Sequence, residues 1–267
     1  MDKKYYPKVS IITPVKNSEN ILKKTILSIL DQTYPNIEYI LVHGKSQDNT
    51  SQVIKEFESK KIIVIEEEDN SIADAMNKGI KKCNGDLVVI LNAGDIYIPN
   101  AVEVMVNYYK NNPNSILHAD LNIFSKDYSY YCYGKEKPDF AKGMEINHIT
   151  MFVPIKYFEL FGYYDDSFIV CGDLDFCARM QKKGVDFLRV NKIIGEYEIG
   201  GISTTKPKIV INERHRIRKR YKLYKFIDLK YFKDLLLYLF FGNNLVKISH
   251  FRRYITYKIE RVFKWKY

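Results

Sequence analysis

Two aspartates sit where side chains can do chemistry. In "GDLVVILNAGDIYIPN", residues 85–100, an apolar run stops in front of a single carboxylate, Asp95. In "CGDLDFCARMQKKG", Asp173 opens a helical pattern, with Asp175 two residues on and spaced to pair with Arg179 four positions later. A carboxylate can accept a proton from a hydroxyl or hold a hard cation. Weaker signals surround these two. Thr13, Pro14 and Asn17 in "TPVKNSEN" offer polar groups at a turn, and Asp74 and Asn77 lie three apart, on one helical face.

The elements that must position them read as strands alternating with helices. "KVSIITPVKN" is a β-branched run ended by Pro14, and the residues after it place Leu22, Ile26, Ile29 and Leu30 near helical spacing. "IEYILVHG", "KIIVIEEE" and "LVVILNAGD" are three further strands, separated by helices that begin near Asp48 and Ser71. This alternation predicts an α/β fold, a Rossmann-like, mostly parallel sheet flanked by helices, with ligands beyond the carboxyl ends of the strands. Beyond the helix 101–111 the texture becomes aromatic and strand-like, then a short helix, the helix at Asp173, and one or two closing strands in "FLRVNKIIGEYEIGG". The first loop holds no glycine, so the G-x-G-x-x-G fingerprint is absent, as is a P-loop.

Composition narrows the class. The chain has 267 residues, 46% hydrophobic and 28% charged, ordinary for a globular protein. Cys83, Cys132, Cys171 and Cys177 form no C-x-x-C pair and read as reduced, buried thiols of a cytoplasmic protein. The start "MDKKYYPK" leads into no signal-like apolar region, and the apolar run 235–241 is too short to span a bilayer. Residues 206–267 hold 18 Lys and Arg against 4 Asp and Glu, leaving 24 against 28 for residues 1–205. The division predicts a domain over 1–205 and a basic, aromatic-rich helical region over 206–267, and argues against a body that grips nucleic acid.

Taken together, "TPVKNSENILKKTILSILDQTYPNIEYILVHGKSQDNT", "DNSIADAMNKGI", "GDLVVILNAGD" and "GDLDFCARM" resemble, in order and spacing, the motifs of glycosyltransferase family 2, inverting enzymes of the GT-A fold. The resemblance covers roughly residues 8–205 and implies a nucleoside diphosphate sugar, expected to be a UDP-sugar, with Mn2+ or Mg2+ on its diphosphate. It puts Thr13, Pro14 and Asn17 in the nucleoside pocket, with His43 where the family usually has an aspartate, followed by Gly44, Ser46 and Asp48. Asp69, Asp74 and Asn77 are implied near the donor. In "NAGD" only the last member of the family's acidic metal motif survives, so Asp95 becomes the metal ligand, with Asn92, Ala93 and Gly94 lining the donor diphosphate. One carboxylate suffices where substrate phosphates and water complete the coordination. Asp173 maps to the catalytic base, with Gly172 where an acid often stands, and Asp120 and His148 map to the acceptor or diphosphate side.

The implied activity is transfer of a hexose or N-acetylhexosamine to a hydroxyl of a glycan or lipid-linked acceptor in surface polysaccharide biosynthesis; the alternative is a donor-binding or scaffold protein that has lost catalysis. In the C-terminal region, Ile248, Phe251, Ile255, Ile259 and Val262 fall on one helical face flanked by Arg252, Arg253 and Lys258. That pattern suits helices lying on an anionic membrane surface, on the inner face of the cell membrane, or packed on the body or a second subunit as a homodimer.

Overall fold

The computed structural model describes residues 6–224 and 227–264, of which Ile202 and residues 259–264 are described by their backbone alone. In chain order its elements are β1 (Val9–Val15), α1 (Leu22–Leu30), β2 (Ile37–His43), α2 (Thr50–Lys55), β3 (Ile62–Glu66), α3 (Ile72–Lys82), β4 (Leu87–Ile90), β5 (Ile96–Tyr97), α4 (Ala101–Asn111), β6 (Ser115–Phe124), β7 (Ser129–Cys132), β8 (Val153–Pro154), α5 (Lys156–Phe161), α6 (Gly172–Lys182), β9 (Asp186–Glu198), α7 (Ile202–Thr205), α8 (Pro207–Arg220), α9 (Leu229–Phe241) and α10 (Leu245–Lys264).

One sheet runs β3-β2-β1-β4-β8, parallel but for the short edge strand β8. Its inner strands β2, β1 and β4 bury apolar residues on both faces, whereas edge strand β3 leaves Ile63 and Val64 exposed. Val9 and Ile11 of β1, Tyr39 and Leu41 of β2, and Leu87 and Val89 of β4 enter one core; Ile12, Ile40, Val42, Val88 and Ile90 enter the other. Such two-sided burial is what a parallel sheet covered by helices requires. Pro14 does not end β1: the strand continues to Val15, paired with His43. Ile12 presents its carbonyl to Leu91, so Pro14 faces the same side one step beyond β4, where no ladder donor is needed.

The second sheet runs β5-β9-β6-β7. The closing segment is one 13-residue strand, β9, parallel to β6, with the register slipping on both sides of Asp120. A bridge from Leu117 to Phe152 ties β6 to the approach to β8, which keeps both sheets around a shared core.

α8 completes the other core, the one that holds Ile12, Ile40 and Val42: Val210 and Ile217 are buried in it, and Ile211 is buried beside them in sequence. α10 lies along β7 through aromatic contacts, Tyr254 on Tyr128 at 5.0 Å and Tyr257 on Tyr131 at 5.8 Å between centroids. Tyr130 and His250 add a hydrogen bond of 2.6 Å. The foreseen stripe is not what makes these contacts: Ile248, Phe251 and Ile255 stay exposed, with Phe251 meeting Tyr128 edge-on; the burial of Ile259 and Val262 lies outside the described residues. Among the described residues no helix is long and apolar enough to cross a membrane.

Because Ile217 is fully buried, Ile217→Ala should cost about 2–5 kcal/mol of stability. Denaturant unfolding checks this, and a loss below about 0.5 kcal/mol, the range of surface substitutions, would show that α8 is not part of the core.

Candidate active site

The carboxyl ends of β1, β2, β3 and β4 point one way, as the parallel ladders require, and α3 starts there. α6 starts at the same end: a side chain at Gly172 would come within 3.9 Å of the Ala73 methyl in the first turn of α3. Asp95 and Asp173, 78 positions apart in sequence, are thereby placed at one end of the fold.

The loop carrying Asp95 is held by polar groups of α1. Thr25 Oγ1 accepts from the Gly94 N–H at 2.8 Å and donates to the Asp95 carbonyl at 2.9 Å. Ser28 accepts from the Tyr97 N–H, and Gln32 donates to the Ile98 carbonyl while accepting from Val102 N–H. Gly94 has φ +100°, a region costly to any residue with a Cβ. The result is a turn that sends the Asp95 side chain inward, where it is only 5% exposed. Burial pushes its carboxyl up from 3.8 to about 7, and the Lys24 charge opposes this only in part, since the Lys24 ammonium pairs with Glu198 at 3.0 Å. No Lys, Arg or His among the described residues is within ion-pair distance of Asp95. Beside it, Asn92 Oδ1 is buried without a partner, and Ala93 is half-buried against the core.

The first two loops zip to each other rather than opening. Asn17, at φ 49°, donates its N–H to Ser46 Oγ and accepts from Gln47 N–H on Oδ1. Asp48 accepts from the Glu19 N–H and from both the N–H and hydroxyl of Thr50, which hold its carboxyl below the usual range. Thr13 is fully buried and accepts from the Tyr39 hydroxyl, so it lies under the loops rather than on their surface; Pro14 is buried too. His43, at the end of β2, shares a hydrogen bond with Ser46 at 3.1 Å and has Glu66 3.7 Å from Nδ1. Gly44 is demanded by contact: a Cβ there would sit 1.9 Å from Asp69 Oδ2, whose other oxygen is 3.3 Å from Lys16 Nζ.

On α3 the structure gives the pair Asp74 and Asn77 separate tasks. Asp74 accepts from the Asn70 N–H, its own N–H donates to Ser71, and Lys78 is 3.3 Å away; the Asn70 bond leads in holding its carboxyl low. This is reciprocal helix capping. Asn77 grips the backbone of Tyr164 with both ends of its amide, at 2.8 and 3.0 Å, and so docks α3 on the loop after α5. Neither is directed with the other at a ligand. Asp120 is likewise committed: Arg189 binds it bidentately at 2.7 and 3.0 Å and Gly134 N–H adds a third bond. The slip of register around Asp120 creates this buried pair, which leaves no carboxylate oxygen for an acceptor.

Asp173 is half-buried in the first turn of α6 and accepts from the Leu174 N–H at 2.7 Å. His148, in a short 3-10 turn before β8, keeps Nε2 buried and unpartnered. Burial lowers its pKa, with the Asp173 charge acting the other way, so its imidazole is neutral at neutral pH. Asp175 is fully buried and paired with Arg220 at 2.8 Å, Tyr221 at 3.1 Å and Arg179 at 3.7 Å. It fastens α6 to the end of α8, beyond the Arg179 pairing its spacing predicts.

Asp95, Asn92, Asp173 and His148 thus keep capacity to bind at this end of the fold. A buried carboxylate and an orphaned amide oxygen suit a hard divalent cation. Among the described residues no cluster of three or more His, Cys, Asp or Glu converges, and a cation here would draw further ligands from substrate and water. The stripe Thr25, Ser28, Gln32 was not foreseen; its signal is polar residues at spacings of three and four among the apolar residues of an amphipathic helix.

The family model described as "Glycosyl transferase family 2" matches residues 10–168. An uncharacterised glycosyltransferase of Rickettsia prowazekii (strain Madrid E) is 31% identical over 208 residues, covering 73% of this chain and 63% of that protein's length. An Escherichia coli protein named UDP-Glc:alpha-D-GlcNAc-diphosphoundecaprenol beta-1,3-glucosyltransferase is 31% identical over 120 residues, 45% of this chain and 47% of its own. Among solved structures, a mannosyltransferase of Pyrobaculum calidifontis in complex with GDP-Man and Mn2+ superposes with a TM-score of 0.65 at 14% identity, covering 90% of this chain and 72% of the other. Its likeness places the fold among GT-A glycosyltransferases.

The Asp95 environment makes a pH prediction. With the folded value raised to about 7, the unfolded chain releases this proton first as pH rises from 4, so stability is greatest at low pH and falls through pH 7. Asp95→Asn removes that cost. In the metal-free protein the variant should be more stable than wild type by a few kcal/mol at pH 8, about 1.4 kcal/mol per pH unit of displacement, and equal to it near pH 4. An equal effect at both pH values would mean that the carboxylate is solvated.

Proposed function

The chain belongs to glycosyl transferase family 2, and from that premise we propose that it transfers a hexose or N-acetylhexosamine from a nucleoside diphosphate sugar to an acceptor hydroxyl with inversion. The observation that carries the reading is the buried Asp95 carboxylate beyond β4, hydrogen-bonded by the Asn92 side chain but without a counter-charge among the described residues, set at the same end of the fold as Asp173. The acceptor hydroxyl attacks the anomeric carbon; the bond to the diphosphate breaks with its electron pair leaving on the phosphate oxygen, and Asp173 takes the hydroxyl proton. His148, neutral and with a free ring nitrogen, hydrogen-bonds the reacting groups beside Asp173. Mn2+ or Mg2+, held by Asp95 and Asn92, would neutralise charge on the departing diphosphate. The first loops, knit through Asn17 and Asp48, form a stiff rim for the nucleoside, with His43 and Asp69 at its floor.

Uridine is the expected base and a lipid-linked glycan the expected acceptor, in surface polysaccharide assembly, supported by the name of the Escherichia coli relative. The C-terminal helices support a site at the inner face of the cell membrane. Leu229, Phe232, Leu236, Leu239 and Phe240 of α9 fall on one helical side and are 53–80% exposed, near Lys230 and Lys233. Apolar side chains bordered by basic ones suit insertion among anionic headgroups, each basic group adding about 1 kcal/mol before screening.

Asp95→Ala should abolish metal-dependent binding of UDP-sugars in calorimetry, whereas Asp173→Asn should bind donor normally and lose transfer; retained transfer in the latter removes the proposed base. Wild type should also release UDP slowly from its donor with water as acceptor, which a binding protein without catalysis would not do. On vesicles, wild type should float with anionic lipid and Phe232→Asp/Leu239→Asp should not. Equal behaviour of the two proteins would remove α9 as the membrane-facing surface.

A further inference from the structure

The first turn of α6 lacks the usual device for fixing a helix start, since Cys171, at its N-cap, makes no side-chain capping bond. A carboxylate from a distant helix supplies it. Glu213 of α8 accepts the N–H groups of Ile169 at 2.6 Å, Val170 at 3.0 Å and Cys171 at 2.8 Å, three consecutive donors converging on one anion. Its charge also lies at the positive end of the α6 dipole. The residue is 7% exposed, and Val210, Ile211 and Ile217 bury the helix that carries it.

We propose that Glu213 is the positioning residue for Asp173, holding the backbone two residues before it so that its carboxylate meets the acceptor hydroxyl; this rests on Asp173 being the base. Other α8 contacts grip the same loop farther from Asp173. Arg216 donates to the Ser167 carbonyl at 2.9 Å and stacks 3.7 Å over Phe168, while Arg220 binds Asp165 at 2.7 Å. These anchor α8 without touching residues 169–171. Arg220 also binds Asp175 inside α6 at 2.8 Å, but Glu213 is the α8 side chain that takes the N–H groups of 169–171, the backbone leading into Asp173. Replacing it leaves three N–H donors short of an acceptor, which the loop relieves by shifting. A displacement of about 1 Å is enough to cost a catalytic group on the order of 100-fold in rate.

The test is UDP release from UDP-glucose and UDP-N-acetylglucosamine with Mn2+ by wild type, Glu213→Ala, Glu213→Gln, Ile217→Ala and Asp173→Asn, alongside donor KM and thermal midpoint. Glu213→Ala should lower kcat about 100-fold with donor KM little changed, and Glu213→Gln, which keeps one acceptor oxygen, should lose less. Ile217→Ala, which loosens α8 but keeps the Glu213 carboxylate and its three bonds, should lose stability but keep kcat. Hydrogen exchange of amides 172–175 should rise in Glu213→Gln and not in Ile217→Ala, a readout that survives if Glu213→Ala fails to fold. The proposal is overturned if either Glu213 variant keeps wild-type kcat and exchange, or if Ile217→Ala loses kcat to the same degree. An active Asp173→Asn, or a wild type that releases no UDP, fails the reading of the base itself and leaves Glu213 nothing to position; an inactive Asp173→Asn beside an active Glu213→Ala fails this proposal alone.

Discussion

A carboxylate withdrawn from water without a counter-charge is the constraint from which the rest of the site follows. Asp95 is 5% exposed and its carboxyl is pushed up to about 7 by burial. A protein that wanted only a stable turn after β4 would have used a neutral residue, because ionising this group in the folded state opposes folding. The neighbouring lysine is turned to Glu198, and the nearest amide oxygen, on Asn92, is unpartnered. Folding thus leaves a local deficit of positive charge at the strand end, which a divalent cation with a diphosphate would fill.

Keeping that deficit in place takes structure from both ends of the chain. α1 contributes a polar stripe in an otherwise apolar helix, and its hydroxyls satisfy the turn that a bulkier or less polar face could not hold. α8, some 120 residues after the strand, contributes Glu213, Arg216 and Arg220 to the segment before α6, and Arg220 binds Asp175 of α6 as well. The basic region past residue 205 therefore divides physically: its first helix completes the core, α10 lies on β7 through tyrosine stacking, and α9 keeps its apolar side in solvent.

Much of this was legible in the residues. Strand-helix alternation predicted the parallel sheet, and the abrupt end of an apolar strand singled out Asp95. What the sequence could not display was how each polar group would be consumed. Asp74 and Asn77 share a helical face, yet one caps its own helix and the other holds a loop 87 residues away. Asp120 looks available at the end of a strand, but a slip in register delivers Arg189 to it. Asp48 and Asn17 spend their side chains joining two loops. Asp74 is claimed by neighbours within four residues; for the others a long-range partner decides the role, and periodicity carries no information about such partners. Pro14 misled for a related reason: its missing donor matters only where a neighbouring strand asks for one, and β4 has already turned away.

The most direct measurement of the central claim is anomalous scattering from crystals of the chain grown with Mn2+ and a uridine diphosphate. A manganese peak is expected within coordination distance of the Asp95 carboxylate, about 2.1 Å, beside the diphosphate. A nucleotide bound at the strand ends with no manganese on Asp95, or manganese held elsewhere in the cleft, would contradict it.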